Sequence, residues 1–170
     1  MTDRWRGRRA AGLAGVLLLA LATVGAVATA RPQNDPQRWL VVRDVSATEL
    51  ARVPLPSSGR FGLRYRNSLY QSLAEEHFVV RGGELQLVSL SADELAVLEE
   101  YYGADHATRA AAGAGRRWEA SVERPAIRLP LRIQATALGE RTLLAGDRQI
   151  ELWRLVEGRA DTRVILSVER

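Results

Sequence analysis

The chain has 170 residues, of which 24 are Arg and none Lys, against 20 acidic residues, two His and no Cys. Four of the arginines lie in the first nine residues, so residues 31–170 hold 20 Arg against 19 acidic side chains. A nearly neutral body excludes the electrostatic footprint of a nucleic-acid binder, and the lack of Cys excludes both a disulfide framework and a lipidated amino-terminal Cys.

The chain opens on MTDRWRGRR, four Arg against one Asp. Residues 10–30 then carry no charge and contain eight Ala, five Leu, three Val, three Gly and two Thr. As a helix this run spans about 32 Å at ~1.5 Å per residue, one hydrocarbon core. A basic segment, an apolar run and the small-x-small triplet Ala28-Thr29-Ala30 compose an export signal. Two readings stand. The run is longer than a signal core of ~7–15 residues, which favours an uncleaved membrane anchor; its richness in Ala makes it weakly hydrophobic for a permanent span, which favours a cleaved signal peptide. In both, the basic end stays in the cytoplasm and the rest is extracytoplasmic, in the periplasm or at the cell surface. The pair Arg8-Arg9 has the form of a twin-arginine signal, a pair that an Arg-rich chain also carries by coincidence.

Residues 31–37, RPQNDPQ, read as a linker, and residues 38–170 as one β-rich domain. RWLVVRD is its first strand. Ala51–Leu55 is a second apolar segment, which Pro54 confines to an edge or a strand end. Pro56-Ser57-Ser58-Gly59 is a turn. Phe61, Leu63 and Tyr65 then alternate with Gly62, Arg64 and Arg66, the period of a half-buried strand. After a polar break the strand pattern resumes at Phe78-Val79-Val80, and Gly82-Gly83 joins it to ELQLVSL as a hairpin. Ser91-Ala92-Asp93-Glu94 has capping-box form, and Leu95, Leu98 and Tyr102 follow at helical spacing, so a short helix is expected there, stopped by Gly103. Ala104–Gly115 lacks an apolar period and reads as a flexible loop. Ile127, Leu129, Leu131 and Ile133 alternate through a strand that Pro130 places at an edge. Ala145-Gly146-Asp147-Arg148 turns from Leu143-Leu144 into a strand RQIELWRL, and Glu157-Gly158-Arg159 leads to a last strand around Val164-Ile165-Leu166. Eight or nine strands and one helix make a mainly β fold, a small antiparallel sandwich or partly open barrel, preceded by the N-terminal hydrophobic helix.

Parity assigns the faces at the polar break. Asn67 continues the inward row of Phe61, Leu63 and Tyr65; Glu76 shares the face of Phe78 and Val80. If the two arms pair, Asn67 and Glu76 lie at one end of the sheet on its inner side, with residues 68–75 between them. An amide and a carboxylate at the rim of a core need partners. Either they form a structural polar clamp for this loop, or Asn67, Ser68, Glu76 and Tyr102 line a pocket for a small ligand.

Two short stretches carry a resemblance. Tyr65-Arg66-Asn67-Ser68-Leu69, followed by Leu73-Ala74-Glu75-Glu76-His77-Phe78, is similar to a pattern Tyr-x-His-Ser-Val then Pro-Val-x-Glu-x-Phe, and Tyr102-Gly103-Ala104-Asp105 to a Tyr-Gly-Ala-Gly turn. These resemble a family of small exported bacterial domains of unknown function encoded beside TRAP transporters of the TAXI type, and the likeness spans most of residues 38–168. It implies an extracytoplasmic accessory domain with transporter subunits or the solute receptor as partners. The family's His is Asn67 here, its Pro is Leu73 and its last Gly is Asp105. Asn can hydrogen-bond as a neutral imidazole does but cannot carry a proton near neutral pH, so general base work at this position is not expected.

No catalytic constellation emerges. Ser68 is the nucleophile a hydrolase would need, but it sits in Asn-Ser-Leu-Tyr and not in a Gly-x-Ser-x-Gly elbow. His77 points outward by parity, away from Glu76, and His106 lies in the loop. The histidine spacing does not suit a metal site, and Glu75-Glu76 face opposite sides of a strand. Glu99-Glu100 read as the wet face of the helix. No metal, cofactor or catalytic residue is expected. The chain reads as a non-enzymatic extracytoplasmic domain, with a small-ligand binder as the alternative and a Ser68 hydrolase as the third possibility.

Overall fold

The computed structural model describes residues 36–170. The expected hydrophobic helix at 10–30 and nearly all of the 31–37 linker lie outside these described residues. Among the described residues no helix is long and apolar enough to cross a membrane.

Among the described residues twelve strands, more than the eight or nine expected because several are only two to four residues long, form two open antiparallel sheets, and neither closes into a barrel. The smaller sheet is ordered β2 (Glu49–Pro54), β1 (Trp39–Arg43), β12 (Arg163–Glu169), β9 (Leu131–Gln134). The larger is ordered β11 (Arg148–Glu151), β10 (Thr142–Ala145), β3 (Arg60–Arg66), β4 (Leu73–Arg81), β5 (Glu84–Ala92), β7 (Trp118–Ser121), β6 (Thr108–Arg109), with β8 (Ile127–Arg128) also on β5. Leu40, Val42, Val53, Val164 and Leu166 of the small sheet share one buried cluster with Phe61, Leu63, Phe78, Leu85 and Leu90 of the large one. Each such side chain, fully buried, contributes about 1.5–3 kcal/mol, and a domain without disulfides depends on their sum. Phe61 and Phe78 are directly opposed and stack at 5.4 Å. On the outer face of the small sheet Val41 is also buried, flanked by its cross-strand neighbours Arg52 and Ser167. There Arg43 and Arg52 both pair with Glu49 and Glu169.

Local chemistry explains the turns. Gly82 and Gly83, at φ 58° and 84°, close the β4–β5 hairpin in the left-handed geometry that a two-residue connection requires. Pro54 ends β2 at the edge of its sheet. Asp44, 7% exposed, accepts the Ser46 and Thr48 backbone N–H groups on Oδ1 and Arg159 at 2.7 Å on Oδ2, tying the β1–β2 turn to the loop after α1 (Leu152–Leu155). These bonds hold its carboxyl below the usual range, led by the Ser46 hydroxyl.

Four expectations are corrected. Ser91 is not a helix cap: β5 continues to Ala92, where Ser91 pairs with Glu75 and Glu119, because Ala92 is needed in the core. The helix that follows is a π-helical turn, Val97–Tyr101, entered at Ala96 without a side-chain cap. Its wide winding sinks the adjacent Val97 and Leu98 together into the core, and Gly103 at φ 61° turns the chain so that Ala104 N–H reaches Leu98 O. The alternating run 127–133 is two strands in different sheets, Ile127–Arg128 on β5 and Leu131–Gln134 on β12, divided at Pro130, which has no donor to continue a ladder. The strand RQIELWRL ends at Glu151; Leu152 and Val156, both fully buried at i and i+4, are better served by the single turn α1. Finally, the 104–115 loop contains β6, paired to β7.

Candidate functional site

The polar break after β3 folds into a tight turn. Asn67, 4% exposed, keeps its backbone N–H on Ser72 O at 2.8 Å. Its side-chain Oδ1 accepts the N–H groups of Leu69 and Tyr70 at 3.0 and 3.1 Å. Asn is suited to this: its short side chain satisfies two backbone donors that a turn would otherwise strand. Ser68 is exposed and offers its carbonyl to Gln71. Tyr70 reaches from the turn to Glu100 at 2.5 Å and so joins it to the π-helical turn; the bond to the carboxylate holds the phenol above its ordinary range.

Glu76 lies elsewhere on the inner face. Its cross-strand partner is Leu63, whereas Asn67 stands level with Ser72, about 13 Å along the strand at ~3.3 Å per residue. Asn67 and Glu76 therefore share the inward row without satisfying each other. Instead Tyr102 donates to Glu76 Oε1 at 2.7 Å and Arg141 Nη1 donates to Oε2 at 3.0 Å. Because the Tyr102 proton is committed to the carboxylate, Tyr65 is the donor in the 2.7 Å bond between the two phenols. The guanidinium of Arg141 also lies 4.5 Å over the Tyr65 ring, which closes the network on itself. Burial raises the Tyr65 phenol to about 12 and drives Tyr102 higher still, with the neighbouring Glu76 charge adding to the second shift. Both stay protonated at physiological pH.

So the structure brings Glu76 and Tyr102 into direct contact and leaves Asn67 and Ser68 in the adjoining turn. Sequence reading missed Tyr65 and Arg141 as members. The parity of Tyr65 was visible; nothing around Arg141, in GERTLL, marks it as the partner of a residue 65 positions away.

Next to this network is a recess of about 210 Å³, lined by Tyr65, Asn67, Ser68, Gln134, Leu138 and Arg141 among others. Its rim is unusual. Tyr101 and Leu138, which line it, are 64% and 62% exposed, and Leu69, next in the chain to the lining residue Ser68, is 77% exposed; these are three of the five large apolar side chains the described surface exposes. A wider hollow of about 640 Å³ under residues 109–117 is lined by Ala, Gly and arginines, of which Arg116 is engaged by Glu75 and Asp93.

On the opposite face of β4, His77 stands across from Gly62, its Nε2 3.1 Å from Ser91 Oγ and 3.9 Å from Glu75 Oε2. A Ser-His-acid relay needs the acid on the second ring nitrogen, so these three residues do not compose one. Burial lowers the His77 pKa from its ordinary value. His106 is exposed, and no cluster of three His, Cys, Asp or Glu suited to a metal ion occurs among the described residues.

No protein-family model matches the chain, and no curated protein or solved structure does.

Proposed function

We propose that the chain is a non-enzymatic extracytoplasmic domain that serves as an accessory or binding module beside a tripartite transporter of the TRAP type with a TAXI solute receptor. The observation that carries the binding role is that Tyr101 and Leu138 line one recess while largely exposed, with the exposed Leu69 next in the chain to its lining residue Ser68. Exposed apolar side chains scattered singly need no partner; a group of them rimming a polar hollow is the signature of a contact surface. The basic, apolar and small-residue pattern of the leader supports export. The stretches Tyr65–Leu69, Leu73–Phe78 and Tyr102–Asp105 support the transporter link by resemblance. The non-enzymatic reading is supported by Glu76, whose two oxygens are taken by Tyr102 and Arg141, and by the arrangement around His77.

The test is co-purification with the transporter membrane subunits and the solute receptor after mild detergent extraction. Recovery of the chain alone, under conditions that keep the transporter intact, counts against the proposal. A small-ligand binder is the second reading, favoured by Asn67 and Ser68 lining the recess, with Glu76 and Tyr102 behind it through Arg141 and Tyr65. Ligand binding that survives Leu138→Ser but not Arg141→Gln would favour that reading.

A further inference from the structure

We propose that the recess and the free edge of β9 together receive the extended carboxyl-terminal segment of a partner protein, which adds to β9 as a strand, sets its α-carboxylate on Arg141 and seats its last apolar side chain in the recess. The inference rests on the reading of the domain as a binding module and names what that module holds.

The edge comes first. Among the described residues β9 pairs only with β12 and ends its sheet. Ala135 N–H donates to Thr162 O, on the β12 side. Backbone groups alternate sides along an antiparallel strand, so Arg132 and Gln134 turn their N–H and C=O away from β12, where no strand pairs with them among the described residues. Such a row is a template for an added strand.

Direction follows from where the strand leads. β9 runs toward the recess, which Gln134 and Thr136 line. A segment added parallel to β9 brings its carboxyl end there; an antiparallel one brings an amino group. The recess selects between them. Arg141 engages Glu76 through Nη1, and Nε and Nη2 have no acceptor among the described residues. Its side chain is 25% exposed, held in place by Glu76 and by the Tyr65 ring. A planar, pre-positioned guanidinium with unspent donors matches a carboxylate and repels an ammonium group. Parallel addition is therefore the orientation that the charge favours.

Size completes the assignment. About 210 Å³ is below the ~300–1,000 Å³ typical of small-molecule and cofactor sites and suits one side chain. Tyr101 and Leu138 line the recess and are still 64% and 62% exposed, so a peptide covers apolar surface there that a small free acid leaves in water.

The experiment uses the full-length chain in mild detergent and short fluorophore-labelled peptides ending in Leu, Phe or Asp, each as free acid and as carboxyl-terminal amide. Fluorescence polarisation is expected to show binding of the Leu and Phe free acids and a loss of about tenfold or more for their amides. Leu138→Ser should weaken binding several-fold without lowering the melting temperature, since the side chain is exposed. Gln134→Pro removes an outward N–H at an edge position that tolerates Pro, and should abolish binding, while Gln134→Ala keeps the N–H and should bind. Equal binding of acids and amides, displacement by acetate alone, or binding by no peptide overturns the docking mode. If peptides fail while the chain still co-purifies with transporter components, the docking mode falls and the binding-module reading stands. Failure of both removes both.

Discussion

Replacing Tyr102 by Phe tests the polar network at its centre. The hydroxyl donates to Glu76 Oε1 and accepts from Tyr65, both at 2.7 Å. Its loss removes a hydrogen bond to a charged group, worth about 1.5–3 kcal/mol, and strands the Tyr65 hydroxyl, whose unsatisfied burial costs ~1–3 kcal/mol. Glu76 keeps Arg141 and is 17% exposed, so water recovers part of the loss. The expected net cost is about 2–4 kcal/mol, a fall in melting temperature of roughly 6–15 °C for a domain of this size. Tyr65→Phe removes only the terminal donor and should cost about 0.5–1.5 kcal/mol. In the double variant the stranded hydroxyl is gone, so its cost should fall short of the sum by about 1 kcal/mol. Urea unfolding of the four proteins, followed by Trp fluorescence, measures all three terms. A Tyr102→Phe variant within about 0.5 kcal/mol of the parent, or strictly additive costs, would refute the network as a source of stability.

Three further outcomes follow from particular contacts. Folding raises the phenol of Tyr65 to about 12 and that of Tyr102 higher, above their unfolded values, so the folded state holds those protons more tightly. That contribution is complete below about pH 10 and is lost as the pH climbs through about 12; melting temperatures and tyrosinate absorbance across this window should fall and rise together. Gly59 sits at φ +70° with an added Cβ only 3.1 Å from Val80 O, whereas nothing lies within 4 Å of one at Gly82. Gly59→Ala should therefore cost about 1–3 kcal/mol, and clearly more than Gly82→Ala, in parallel thermal melts. The Ser72 hydroxyl is buried with no hydrogen-bond partner among the described residues. Ser72→Ala should leave stability unchanged or raise it by about 1 kcal/mol, and a loss of that size in chemical denaturation would contradict its unsatisfied state.

The sequence by itself determined the class of the fold, the hairpin at Gly82-Gly83, the inward row of Phe61, Leu63 and Tyr65, and the burial of Asn67. These are local facts: a period of two, a pair of residues that tolerate positive φ, and parity within one strand. Tertiary structure decided what the row touches. Glu76 meets Tyr102 just after the π-helical turn, a residue already among the pocket candidates, and Arg141 from the loop before β10, which no spacing announces. It also decided where patterns stop. Ser91-Ala92-Asp93-Glu94 has the local form of a helix start, yet the core claims Ala92 for β5. The alternation from Ile127 to Ile133 is real, but two sheets divide it at Pro130. Local propensities are worth tenths of a kcal/mol to about 1 kcal/mol per residue, and a buried apolar side chain about 1.5–3 kcal/mol, so packing prevails wherever the two disagree.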